Sequence, residues 1–108
     1  MQYAKLTDTY AVSEQIHPSD VGAIQAEGFA TVICNRPDHE EPGQPSAAEI
    51  KSACDAAGIA FHHLPFAAMP IPAELVAAHR EAVQNSSGPV LAYCRSGQRS
   101  GIIWQAGN

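Results

Sequence analysis

The feature that most constrains this chain is an apolar run, Val90 to Tyr93, that ends directly in Cys94-Arg95-Ser96-Gly97-Gln98-Arg99-Ser100. A buried strand here delivers a cysteine into a short loop that opens a helix. Such a loop turns several backbone N–H groups inward, and with the positive end of the helix they make a cradle for an anion. Gly97 gives the loop its tight conformation, and Arg99 adds a planar, bidentate cation. The first anion such a cradle stabilises is the Cys94 thiolate itself, which is then a nucleophile. A cysteine that merely filled the core would not need Arg95, Gly97, Arg99 and Ser100 around it.

The rest of the chain reads as alternating strands and helices, the pattern of a three-layer α/β domain with a central, mostly parallel four-stranded sheet. A short strand lies near Tyr10 to Ser13, and a helix runs from Pro18 to a stop at Gly28. Ala30 to Cys34 is a buried strand, followed by a polar, Pro-rich loop, 35–45. Ser46 with Glu49 forms a capping box for a helix that buries Ile50, Ala53, Cys54 and Ala57 and ends at Gly58. Ile59 to Leu64 is the third strand. Pro72 to Gln84 is a helix with Leu75, Val76, His79, Ala82 and Val83 inward, and the last helix starts near Ser100. At 108 residues this is expected to be a single domain, 1–108. Open α/β sheets place their sites beyond the carboxyl ends of the strands, where loops 35–45, 65–71 and 94–100 should converge.

Composition narrows the chemistry. A net charge of −5 without any basic run disfavours nucleic acid and anionic membrane surfaces as partners. No apolar leader is visible in Met1 to Tyr10, so a cytoplasmic location is expected. Three widely spaced cysteines make neither a disulfide framework nor a zinc site, and His62, His63 and His79 lack further ligands, so no metal or cofactor is expected. Cys54 reads as core. Cys34, at the edge of the site, reads as core or as a resolving thiol for Cys94. Of His62 and His63, one is expected to face the core and one the site.

The Cys-Arg-Ser-Gly-Gln-Arg-Ser loop resembles the active-site loop of rhodanese-type sulfurtransferases and the phosphate loop of cysteine-dependent phosphatases. Together with Asn35-Arg36-Pro37-Asp38 and Glu41-Pro42-Gly43-Gln44-Pro45-Ser46 it is similar to the phosphatase-like domain of the β-lactamase hydrolase-like proteins. That resemblance covers about Leu6 to Trp104. It implies a dual-specificity-phosphatase fold that performs sulfur transfer, alone or beside a persulfide dioxygenase.

Two features favour sulfur over phosphate. Four residues separate Cys94 from Arg99, as in rhodanese loops, whereas phosphatase loops are usually longer by one. Dual-specificity phosphatases usually carry an acid in the loop corresponding to 65–71, but this one reads Pro65-Phe66-Ala67-Ala68-Met69-Pro70, without a carboxylate. The expected reaction moves a sulfane sulfur from a small anionic donor, thiosulfate or glutathione persulfide, through a Cys94 persulfide to a thiol acceptor. Arg99 would hold loop and donor, Arg95 would recruit the anion at the rim, and Ser96, Gly97, Gln98 and Ser100 would supply amides. The alternatives are a cysteine-dependent phosphatase, with Asp38, Glu40 or Glu41 swinging in as acid (Asp38 foremost), and an anion-binding module without catalysis. The blander reading of the acidic loop is a solvated segment with Arg36 paired to Asp38 at the rim.

Overall fold

The computed structural model describes residues 1–108. Five strands form one sheet: β1 (Ala4–Thr7), β2 (Tyr10–Ser13), β3 (Thr31–Cys34), β4 (Ala60–His63) and β5 (Val90–Tyr93), in the order β1-β2-β5-β3-β4. β2, β5, β3 and β4 are parallel, while β1 joins β2 antiparallel. Four α-helices complete the chain: α1 (Val21–Ala26), α2 (Ala47–Ala57), α3 (Ala73–Gln84) and α4 (Gln98–Ala106).

The α/β class stands, but the sheet has five strands and not four. β1 escapes a sequence reading because it is short and all four of its residues are exposed, so Ala-Lys-Leu-Thr presents no buried apolar face to mark it. It exists because the outer edge of β2 offers free backbone partners, taken up in the register Ala4↔Val12 and Lys5↔Ala11. Two helix starts also shift. Pro18–Asp20 forms a 3₁₀ turn ahead of α1, and α4 begins at Gln98 because Gly97, just before it, is already its N-cap. The capping box of α2 is present as expected: Ser46 Oγ accepts from the Glu49 N–H at 3.1 Å.

Alternation along the strands sends side chains to two unequal layers. On one face Ala11, Val32, Cys34, Leu91 and Tyr93 meet Val21 and Ile24 of α1 and Ile50 and Cys54 of α2 in a continuous buried cluster. On the other, Tyr10, Ile33, Val90 and Ala92 form a smaller buried cluster with Ala82 of α3, with Trp104 of α4 half-buried against them and the buried His79 of α3 against Tyr10. Trp104 stacks on Tyr10 at 5.5 Å between ring centroids. The largest open cleft, about 380 Å³, runs along this thinner side between β4 and α3, lined by His62, Leu64, Ala78 and Glu81, and does not touch Cys94.

The unequal layers predict unequal costs of truncation. Ile50 is fully buried, so Ile50→Ala should cost about 2–5 kcal/mol in urea unfolding. Val83→Ala, on the half-buried face of α3, should cost about 1 kcal/mol or less, because a side chain still partly in water gives up less on truncation. Equal losses would contradict this division of the core.

Candidate active site

β5 lies at the centre of the sheet between β2 and β3, and its four residues are buried, so its end is rigidly placed. Cys94 follows at once, 1% exposed, with its N–H reaching Ser13 O at 3.4 Å. Gly97 takes φ +95°, a conformation that strains any L side chain, so the loop depends on glycine there. The turn brings the Gly97 N–H to Cys94 Sγ at 3.1 Å. Burial opposes ionisation of Cys94, but hydrogen bonds from the amides of Ser100, Ser96 and Gly97, and then from the Ser100 hydroxyl, outweigh it and hold the thiol below its ordinary pKa. Loop amides thus converge on the Cys94 sulfur. Arg95, Ser96 and Gln98 stand exposed at its rim, and Gly97 and Ser100 are buried within it.

Arg99 is clamped by the two neighbouring loops. Its Nη1 donates to Glu40 Oε2 at 2.8 Å and to Phe66 O at 3.0 Å, and its Nη2 donates to Glu40 Oε1 at 2.8 Å. These bonds join 94–100 to 35–45 and 65–71, the convergence expected from topology. A guanidinium has five N–H groups. Three are spent, which leaves Nε–H and the second Nη2 hydrogen, the side-on edge that matches two oxygens of an oxyanion. Glu40, and then the nearby Cys94 sulfur, push the Arg99 pKa up, so the cation is permanent.

The acidic loop is arranged differently from the sequence expectation. Arg36 does not pair with Asp38 and is not at the rim. It is 1% exposed, with Nε on Glu40 Oε1 at 2.8 Å, Nη2 on Glu41 Oε1 at 3.0 Å and Nη1 on Gln15 Oε1 at 3.0 Å. Asp38 Oδ1 accepts from the Ala47 N–H at 2.8 Å, so this carboxylate caps the first turn of α2 instead of facing Cys94 as an acid. Glu40 bridges both guanidiniums, and the hydrogen bonds of Arg99 and then of Arg36 hold its carboxyl down at about 2. A group that acidic carries no proton at neutral pH. Loop 65–71 supplies only the Phe66 carbonyl.

Cys34 pairs in register with Tyr93, one residue before Cys94, and packs with it against the α2 layer. Its thiol donates to Arg36 O at 3.3 Å, and burial pushes its pKa up. Cys54 is core as expected, fully buried and pushed up to about 11 by burial. Neither histidine of β4 is in the core, because β4 is an edge strand. His62 lines the cleft beside α3, and His63 Nε2 lies 3.0 Å from Arg36 O. His79 is a satisfied buried residue, held down at about 4 by burial and then by His62. No group of His, Cys, Asp or Glu is arranged to hold a metal.

Two site residues were not legible beforehand. Glu40 appeared only as one of three acids, with nothing to say that it would clamp Arg99. Asn35, fully buried, accepts from Ser100 Oγ at 2.9 Å; its place at the end of β3, level with the loop after β5, was the available signal.

A family model for the phosphatase-like domain of the β-lactamase hydrolase-like proteins matches residues 2–108. The chain is 31% identical over 107 residues to the β-lactamase hydrolase-like protein of Agrobacterium fabrum and 28% identical over 104 residues to that of Xylella fastidiosa. It covers 99% and 96% of its own length in these matches but only 25% and 24% of theirs. Among solved structures, a candidate phosphatase from Neisseria meningitidis is 40% identical with a TM-score of 0.84, over 94% of this chain and 72% of that one. Pseudomonas aeruginosa TpbA shares the fold at 22% identity and a TM-score of 0.67, over 94% of this chain and 58% of that one. With its fold matched to phosphatase-like structures and residues 2–108 to one family model, the chain belongs to the phosphatase-like domain family of the β-lactamase hydrolase-like proteins.

Proposed function

We propose that the domain is a cysteine-dependent phosphatase for phosphate esters or anhydrides whose leaving group departs without a proton. The observation that carries this reading is Cys94 Sγ, lowered in pKa within the loop amides, beside an Arg99 that keeps one edge of its fork unspent. The likeness to the Neisseria candidate phosphatase supports it. In the first step Cys94 thiolate attacks phosphorus, the P–O bond breaks and the leaving oxygen takes the electron pair. The loop amides and the free edge of Arg99 face the charge that spreads over the phosphoryl oxygens. Water then attacks the thiophosphoryl group, releasing phosphate and the thiolate.

The substrate restriction follows from the missing acid. Glu40 is ionised between two guanidiniums, Asp38 caps α2, and loop 65–71 has no carboxylate. Alkoxides leave poorly without a proton. Phenolates and phosphates leave well.

Sulfur transfer is the second reading, favoured by one observation, the four-residue spacing from Cys94 to Arg99. Cys94 would attack the outer sulfur of thiosulfate, sulfite would leave with the S–S electron pair, and a thiol would collect the persulfide sulfur. A persulfide dioxygenase as partner belongs to this reading alone.

Parallel assays with an aryl phosphate, a phosphoserine peptide and thiosulfate with cyanide decide between them. Aryl phosphate turnover should exceed phosphoserine turnover by about 10²-fold or more. Cys94→Ser should remove about 10³-fold or more with the fold intact. Thiosulfate turnover well above aryl phosphate turnover would install the second reading.

Two loop variants separate the carboxylates. Asp38→Asn keeps an oxygen for the Ala47 N–H, so its turnover should stay within about 2-fold of the parent; a loss near 10²-fold would make Asp38 the acid. Glu40→Gln unclamps Arg99 and should cut kcat about 10-fold, since a misplacement on the order of 1 Å is expensive.

For Cys34 a resolving role is proposed only once Cys94 is oxidised. Peroxide would convert the Cys94 thiolate to a sulfenic acid, and attack by Cys34 sulfur would form the disulfide and release water. Peptide mapping after mild peroxide should find the Cys34–Cys94 link. Sulfinic Cys94 with Cys34 still free would end that role.

A further inference from the structure

Among the buried side-chain nitrogen and oxygen atoms, only Tyr93 OH has no hydrogen-bond partner. Tyr93 is 1% exposed and stands one residue before Cys94. A buried hydroxyl has given up its bonds to water, so leaving it unpaired is costly and calls for a reason. Its surroundings supply one. Tyr93 and Cys34 are register partners on β5 and β3, and both side chains enter the α2 layer. There burial and then the Cys34 sulfur push the Tyr93 hydroxyl up, while that hydroxyl works against the burial that pushes Cys34 up.

The Cys34 thiol spends its one proton on Arg36 O at 3.3 Å. With that proton in place the sulfur is a weak acceptor, and Tyr93 OH stays unbonded. Once the proton leaves, the sulfur becomes a charged acceptor. Tyr93 is then a donor beside it with no competing bond to break. Burial keeps the Tyr93 proton on its oxygen, so Tyr93 lends a hydrogen bond and not a proton.

We propose that the Tyr93 hydroxyl is a donor held in reserve for the Cys34 thiolate, and that it fits Cys34 to capture oxidised Cys94. The inference rests on the resolving role proposed above for Cys34 and names what enables it. Tyr93 is a positioning residue in this scheme, because it acts through Cys34. Peroxide gives one oxygen to the Cys94 thiolate, its O–O bond breaks, and hydroxide leaves. Cys34 then loses its proton, and its sulfur attacks the Cys94 sulfur. The S–O bond breaks, and the departing hydroxide takes up a proton as water. Negative charge sits on the Cys34 sulfur just before attack, which is when the Tyr93 hydrogen bond forms.

Tyr93→Phe removes the hydroxyl and keeps the ring. The hydroxyl has no bond to lose, so the urea midpoint should match that of the parent. In a Cys94→Ser background, the ¹³Cβ resonance of Cys34 in cysteine-labelled protein reports its titration without any oxidant. There Tyr93→Phe should raise the Cys34 pKa, so that thiolate at a given pH falls about tenfold. Asp38 and Arg36 after β3 and Cys54 on α2, the other titratable or charged groups around this pair, and His63, which lies against Arg36 O, are the same on both sides of the comparison. With Cys94 restored and mild peroxide added, the Cys34–Cys94 link should form about tenfold more slowly in Tyr93→Phe, with sulfinic Cys94 accumulating in its place. A folded Tyr93→Phe with an unchanged Cys34 titration, or with linkage at the parent rate, overturns the proposal. So does a large loss of stability, which would mean that the hydroxyl is bonded elsewhere. A parent that forms no link under peroxide instead ends the resolving role itself, and the reserve donor falls with it.

Discussion

An acidic chain holding two guanidiniums out of water needs a counterion placed between them, and Glu40 is that counterion. Arg36 is almost wholly enclosed and Arg99 is mostly so. Each would be costly to bury unpaired. One carboxylate within 2.8 Å of both answers that cost and at the same time joins the loop after β3 to the helix after β5. The position of the Arg99 fork, the spare edge it presents, and the exclusion of Glu40 from proton transfer all descend from this one arrangement.

The helices and central strands were readable because their signals are local or periodic. Ser46 with Glu49, Gly58 after the helix, and the apolar runs at 30–34 and 90–93 each carry their own physical reason. The loop around Cys94 was readable for the same cause: Cys94, Gly97 and Arg99 lie within a few residues of one another. What stayed hidden was long-range. β1 is fixed only by the free edge of β2, and Glu40 reaches Arg99 across fifty-nine positions. Asp38 and Arg36 looked like natural partners because they are close in sequence, yet the helix start at Ala47 and the two glutamates compete better for them. Adjacency in the chain is a weak guide wherever a loop folds over itself.

The candidate site sets amides and a guanidinium around Cys94, while its carboxylates are ion-paired or cap a helix. Charge stabilisation and proton delivery are separate capacities in acyl and phosphoryl transfer, and this arrangement favours the first. Phosphoanhydrides, aryl phosphates and thiosulfate share the property that the departing group is already a weak base. The chemistry common to the proposed phosphate and sulfur readings thus turns on the same lack of a carboxylic acid facing Cys94.

The unequal layers of the sheet carry a dynamic consequence. Asn35 and the arginine-binding loop hang from β3 and are backed by the thick α1–α2 layer, whereas His79 and Arg99 ride on α3 and α4 over the thinner one. Local opening in a protein begins where buried apolar contact is sparse. The seam between the stiff half and the loose half therefore passes through the site itself, and partial opening of the α3–α4 side would separate Arg99 from Glu40 long before the sheet gives way.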